Sequence, residues 1–120
     1  MKPPEGRRVS KGRNLGEFEI LVLAAVMRLG PEAYGVAVRE EIAARAARDV
    51  AIGAVYATLD RLEAKGLVTA RLGEATARRG GRAKKYFDVT AEGARRLQES
   101  AAAMGRMLDG VVSWTARRAG

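Results

Sequence analysis

The sequence predicts a mainly α fold: an α+β winged helix-turn-helix with a three-helix core, a two-stranded wing and a long C-terminal dimerisation helix. Three observations carry that prediction. The stretch Ala51 to Val68, AIGAVYATLDRLEAKGLV, sets Ile52, Val55, Leu59 and Leu62 at helical spacings of three and four, then stops on Gly66. Two short runs of strand character follow, separated by a Gly- and Arg-rich link. The chain closes on a segment whose apolar residues recur at alternating intervals of four and three, the repeat of a coiled-coil seam.

Taken in order, residues 1–14, MKPPEGRRVSKGRN, combine Pro, Gly and charge without periodicity and predict a flexible basic tail. Such a tail serves either as an arm on a DNA groove or backbone, or as a solvated terminus. A winged helix-turn-helix domain is expected over 15–89. Its first helix runs from Leu15 to Leu29, with Phe18, Leu21, Val22, Ala25, Val26 and Leu29 as a broad apolar stripe. Asn14 is the expected cap, Glu17 and Glu19 suit the first turn, and Gly30-Pro31 ends the helix. Tyr34-Gly35 opens a second helix, with Val38, Ile42 and Ala46 inward; the Gly is a start position or permits a tight approach. A short connection with Asp49 as a candidate cap leads into the third helix. Three helices with short links and a close second-to-third turn match a helix-turn-helix core.

The outer face of the third helix is bare: Gly53, Ala54 and Ala57 sit there with Asp60 and Arg61, so it can approach another surface closely. Leu67–Leu72 and Lys84–Val89 are the expected strands, with Tyr86, and Val89 or Phe87, turned to the core. Between them GEATARRGGRAK has no core-forming residue. Arg78, Arg79, Arg82, Lys84 and Lys85 exceed what a hairpin needs for solubility, and their density is the electrostatic footprint of phosphate contact.

Thr90 is the expected cap of the final element, 90–120, read as a helix of about 30 residues and on the order of 45 Å. Leu97, Ala101, Met104, Leu108, Val111 and Thr115 form its seam, which needs a partner and marks a dimer interface. Gly105 and Gly110 mark close packing or a bend. Trp114, the one Trp, reads as an interface anchor in preference to a platform for a flat ligand.

Composition bounds the function. The chain of 120 residues fits one domain, and 22 Lys and Arg against 14 Asp and Glu give a formal charge of +8, which favours polyanionic partners. Residues 1–14 carry five basic and one acidic side chain, 15–70 six and eight, 71–85 six and one, and 86–120 five and four. The positive charge is therefore concentrated in the tail and the link between the strands. Without Cys or His, disulfides, thiolate chemistry, most zinc sites and the usual general base are excluded. No constellation of nucleophile, base and orienting group is visible, so no enzymatic activity, cofactor or metal is expected. No apolar run approaches a membrane span and the N-terminus lacks a secretory core, so a soluble cytoplasmic protein is the expectation.

With these residues laid out, the chain resembles the PadR family of bacterial transcription regulators, in the type with a short C-terminal segment. The resemblance spans about Leu15 to Leu97. It rests on Phe18-x-Ile20-Leu21, on Tyr34-Gly35, on the run GAVYATLDRLEAKGL from Gly53 to Leu67, and on GRAKKYFDVTAEG from Gly81 to Gly93. Ala57, Ala83 and Ala91 depart from it, standing where similar proteins often carry Pro, which softens the wing and helix starts. The resemblance implies a homodimeric repressor that lays its third helix in the major groove and its wing along the backbone or minor groove. It carries the groove-facing role to Gly53, Ala54, Tyr56 and Ala57, and wing contact to Arg82 and Lys84. Effectors vary within the family, and no residue here selects one.

The function expected is a sequence-specific regulator of transcription on double-stranded DNA, with Tyr56 and Arg61 as its reaching side chains and much of its specificity from DNA shape. The alternative from another class is a winged-helix interaction module whose basic wing binds an acidic protein.

Overall fold

A computed structural model describes residues 14–73 and 83–111. The chain runs α1 (Glu17–Leu29), one 3-10 turn (Gly30–Glu32), α2 (Gly35–Ala46), α3 (Ile52–Ala64), β1 (Val68–Leu72), β2 (Lys85–Val89) and α4 (Ala91–Leu108). The first three helices form the expected helical core and the strands pair as the expected wing.

α1 buries Val22, Leu23, Ala25 and Val26 and lies against α2, α3, β2 and α4, so it is the hub of the core. Its cap is not Asn14. The N-cap is Gly16, whose N–H donates to Glu19 Oε1 at 2.9 Å, so a first-turn carboxylate reaches back to an otherwise orphaned donor. At the other end Gly30 takes a positive φ of 58° and Pro31 prevents continuation. α2 turns Val38 and Ile42 into the core, but Ala46, expected inward, is exposed: it is the last residue of the helix, which Ala47 ends by turning left-handed at φ 53°.

α3 buries Val55, Thr58, Leu59 and Leu62, with Ile52 half-buried at its start. Asp49 does not cap it. The N-cap is Ala51, whose carbonyl accepts from the N–H groups of Ala54 and Val55. The exit is a Schellman motif. Gly66, at φ 77°, donates to Glu63 O, and Leu67 donates to Leu62 O, both at 2.9 Å. That turn delivers Leu67 and Val68 directly into the core.

β1 and β2 pair antiparallel with Val68 opposite Val89, Ala70 opposite Phe87 and Arg71 opposite Tyr86. The pleat puts Phe87 and Val68 on the core face, almost fully buried. Tyr86, expected in the core, is on the other face, because it shares its register position with the exposed Arg71. A feature without sequence pattern completes the wing base: Tyr34 bridges to Tyr86 across the free edge of β2, and Phe87 N–H donates to Ala33 O at 2.8 Å.

Thr90 caps α4 as expected, accepting from Gly93 N–H at 3.0 Å and donating to Gly66 O at 2.8 Å, while its own N–H donates to Leu67 O at 3.0 Å. α4 is the longest helix among the described residues, at 18 residues, but it ends at Leu108. Asp109 is extended and Gly110 takes φ 81°, so the single helix of about 30 residues foreseen from its periodicity is interrupted at the Gly that marked a bend. Trp114 and Thr115 lie outside the described residues, as do the tail residues 1–13 and Arg78, Arg79 and Arg82 of the link between the strands.

Candidate nucleic-acid interface

The core contacts of α3 fix what it presents to solvent. Val55, Thr58, Leu59 and Leu62 point inward, which leaves Gly53, Ala57, Asp60 and Ala64, at spacings of four, three and four, along the centre of the outward face. All four are exposed, as is Ala54 beside them. A Cβ built on Gly53 meets nothing within 4 Å, so the fold itself does not require glycine there. Asp60, expected on this outer face, is the only charged group on its midline and has no ion pair among the described residues.

Tyr56 flanks this face on the side of α2. Its ring lies across Gly35, where a Cβ would stand 2.3 Å from Cζ and 2.5 Å from the hydroxyl oxygen. Gly35 is thus a tight approach, and the phenol, 41% exposed, is held by it with one edge toward solvent.

The opposite flank carries Arg61 and Lys65, and both turn toward α1. Lys65 Nζ stands 2.9 Å from Glu19 Oε2 and Arg61 Nε 3.5 Å from the same oxygen, while Arg61 also donates to Thr58 Oγ1 at 3.2 Å. The Glu19 side chain is only 8% exposed. Burial alone would raise its pKa. The Lys65 hydrogen bond, the Gly16 N–H and the Lys65 and Arg61 charges outweigh that and hold the carboxyl below its ordinary value. Glu19 therefore remains an anion and ties the C-terminal half of α3 to the start of α1. Its partner Lys65 lies 46 residues away, so the sequence offered only a favourable first-turn acid.

The turn between α2 and α3 is fastened from both sides. Arg48 forms a fork with Glu17 of α1, both nitrogens at 3.1 Å, and Arg39 Nε donates to Val50 O at 3.0 Å. At the wing base Lys84 Nζ sits 3.8 Å above the Tyr34 ring, which meets Tyr86 edge-on at 5.6 Å between centroids. Arg71 covers the Tyr86 ring, donates to Asp88 Oδ2 at 3.1 Å and to Pro31 O at 3.0 Å. These stacked contacts make the wing base rigid. Lys85 is on the other face of β2, 3.9 Å from Glu63 of α3 and nearly half exposed.

Of the residues expected at a dimer interface, Leu97 is half-buried against its own core, and Ala101, Met104, Leu108 and Val111 are exposed. Every residue from 101 to 111 is exposed, so the outer half of α4, from Ala101 to Leu108, has an apolar side that the core of the described residues does not cover. Among the described residues no group of three or more Asp or Glu is placed to hold a metal ion, and no helix is long and apolar enough to cross a membrane.

Comparison with known proteins agrees with this geometry. The model of the transcriptional regulator PadR-like family matches residues 22–99. A PadR family transcription regulator from hypervirulent Clostridium difficile superposes with a TM-score of 0.65 at 24% identity, covering 84% of this chain and 99% of its own. A PadR family transcriptional regulator from Eggerthella lenta gives 0.63 at 26% identity, over 92% and 90%. A PadR-like transcription factor from Bacteroides fragilis gives 0.65 at 23%, over 91% and 98%. No curated protein sequence matches the chain.

Proposed function

The chain belongs to the PadR-like family of transcriptional regulators, and from that premise we propose that this DNA-binding regulator is a homodimeric repressor whose α3 enters the major groove. The observation that carries the reading is the outward face of α3. Gly53, Ala54 and Ala57 leave it without bulk, with open space at Gly53, while Tyr56 stands at its edge on a fixed support. A helix so bare lets its backbone come close to base edges and thymine methyls. Few donors face outward, so DNA shape supplies much of the specificity.

Charge for the backbone comes from elsewhere. Lys84 and Lys85 lie at the wing base, and Arg78, Arg79 and Arg82 are in the link beyond it; together they would neutralise phosphates and release counterions. The tail, 1–14, adds a second basic segment. Arg61 flanks the base-side face but shares its charge with Glu19. The outer half of α4, with Ala101, Met104 and Leu108, is the surface that pairs two copies and sets the separation of their α3 helices, with Leu97 at its base and Val111 and Trp114 following it in the sequence. A signal that releases the repressor from DNA belongs to this reading, with no residue that defines its chemistry.

Selection of bound fragments from the organism's own DNA tests the reading directly. Recovery of a common two-fold site, its half-sites about one helical turn apart or a multiple of that, is the expected result. Random recovery would reject sequence-specific binding and favour an interaction module for an acidic protein.

A further inference from the structure

We infer that Glu19 is a specificity-determining positioning residue: its buried carboxylate withholds Arg61 and Lys65 from DNA phosphates and so keeps sequence-independent binding low. This rests on the proposed placement of α3 against duplex DNA. Glu19 occupies the site a phosphate would compete for. Its Oε2 takes Lys65 Nζ at 2.9 Å and lies 3.5 Å from Arg61 Nε, while Oε1 takes the Gly16 N–H, so the carboxylate is held from three sides. The arrangement is asymmetric in exposure. The carboxylate is buried, whereas the Arg61 side chain is 54% exposed and that of Lys65 29%. Both cations therefore lie within reach of solvent at the flank of the α3 face, where groove-lining phosphates pass. A carboxylate out of water holds its partners more firmly than a phosphate screened by salt attracts them.

The consequence is a division of labour on α3. Its midline offers Gly53, Ala57, Asp60 and Ala64, a face with no free cation, on which a random duplex finds little to hold it. Binding then depends on fit of the helix in the groove, which differs between sequences, more than on charge, which does not.

The test is the salt dependence of duplex binding by the full chain, measured on the selected site and on a random duplex. Glu19→Gln keeps the shape and removes the anion. Each freed cation that gains a phosphate steepens the log–log slope by about 0.9, so two add roughly 1.8. Affinity for the random duplex then rises relative to the selected site at low salt, and the added salt sensitivity is about 12-fold between roughly 50 and 200 mM. The triple variant Glu19→Gln, Arg61→Ala, Lys65→Met returns the slope to that of the unaltered chain. A merely structural Glu19 would weaken binding and leave the slope unchanged or shallower, and that result overturns the inference. Lys65→Met alone, which leaves Glu19 its Arg61 and Gly16 partners, gives an arm independent of how well the Gln variant folds. An unaltered slope supports the inference, and flattening by about 0.9 would show that Lys65 already contacts phosphate and overturn it. If the unaltered chain bound no duplex, the DNA-binding reading itself would fall, an outcome distinct from binding with an unresponsive slope.

Discussion

Gly53→Ala separates the fold's needs from those of a partner by the sign of two effects. Nothing of the chain lies within 4 Å of a Cβ at this position, and its backbone is helical without a positive φ. Glycine in a helix is less favourable than alanine, so the substitution should stabilise the domain by about 0.5–1 kcal/mol. In thermal unfolding followed by circular dichroism, that corresponds to a rise in Tm of roughly 2–8 °C for a domain of this size. Against the selected DNA site the same methyl must displace a base edge or backbone atom. Overpacking costs about 1–3 kcal/mol, or roughly a 5- to 150-fold loss of affinity. Gly35→Ala is the counterpart. There the methyl would stand 2.3 Å from Tyr56 Cζ, and the half-exposed ring must swing away, so binding through Tyr56 changes with little change in folding. A lower Tm for Gly53→Ala would refute the claim that the fold does not need glycine. A higher Tm with unaltered affinity would remove this face from the DNA.

Four further outcomes follow from particular contacts. Gly93→Ala places a Cβ 2.2 Å from the Leu67 carbonyl oxygen, a backbone atom that cannot rotate aside, so a loss of about 2–3 kcal/mol and a fall in Tm of roughly 10–20 °C are expected; a fall under a few degrees would contradict the tight seat of α4. Met104→Glu with Leu108→Glu puts charge on the exposed apolar side of α4, and light scattering should report monomers with an intact circular dichroism spectrum; a dimer that survived both would move the interface elsewhere. The pKa of Glu19 is lowered in the folded chain, so its contribution to stability is complete above the unfolded value near 4.5 and is lost as pH falls through the folded one. The stability difference between the native chain and Glu19→Gln should accordingly shrink in acid melts as the pH is taken below 4.5, and a constant difference would show that the carboxylate charge is not what matters. Replacing Arg78, Arg79 and Arg82 with Ala should weaken binding to every duplex and flatten the salt slope by about 0.9 per lost phosphate contact; an unchanged slope takes these residues out of the interface.

What the sequence made legible is what depends on neighbours along the chain. α3 could be placed because Ile52, Val55, Leu59 and Leu62 keep one spacing and Gly66 ends it, and both signals are local. Gly30-Pro31 and Thr90 were readable for the same reason. The misplaced features depend on residues far apart. Asn14 is a better cap by type than Gly16, but the actual cap rests on Glu19, held in place by Lys65. Tyr86 and Phe87 are adjacent aromatics on one strand. Alternation requires one of them inside without saying which, and the choice is made by Ala70 opposite Phe87 and by Tyr34 on the far edge. The seam of α4 repeats regularly across Asp109–Gly110 because periodicity records side-chain type and is blind to backbone turns. On the α3 face the residue types were readable, whereas the commitment of Arg61 to Glu19 needed the α1–α3 contact.

The junction of α3, β1 and α4 shows why a dimer of this chain would be sensitive at one place in particular. Thr90 donates to Gly66 O and Leu67 O, and Gly93 lies against the Leu67 carbonyl, so the start of α4 is fixed to the turn that ends α3. No flexible segment separates the proposed pairing helix from the proposed reading helix. A tilt of α4 against its partner would be transmitted to the exit of α3 through two hydrogen bonds and one backbone contact. The other end of α3 is held differently, through Arg39 at Val50 and Tyr56 over Gly35. In a paired molecule α3 would therefore pivot about its beginning, and the distance between the two copies of Gly53 would change less than that between the two copies of Asp60. Spin labels at Ala54 and Ala64, both exposed, measure this: on DNA binding, the inter-copy distance at Ala64 should change more than at Ala54, and equal changes would mean that the helices move as rigid bodies with their domains.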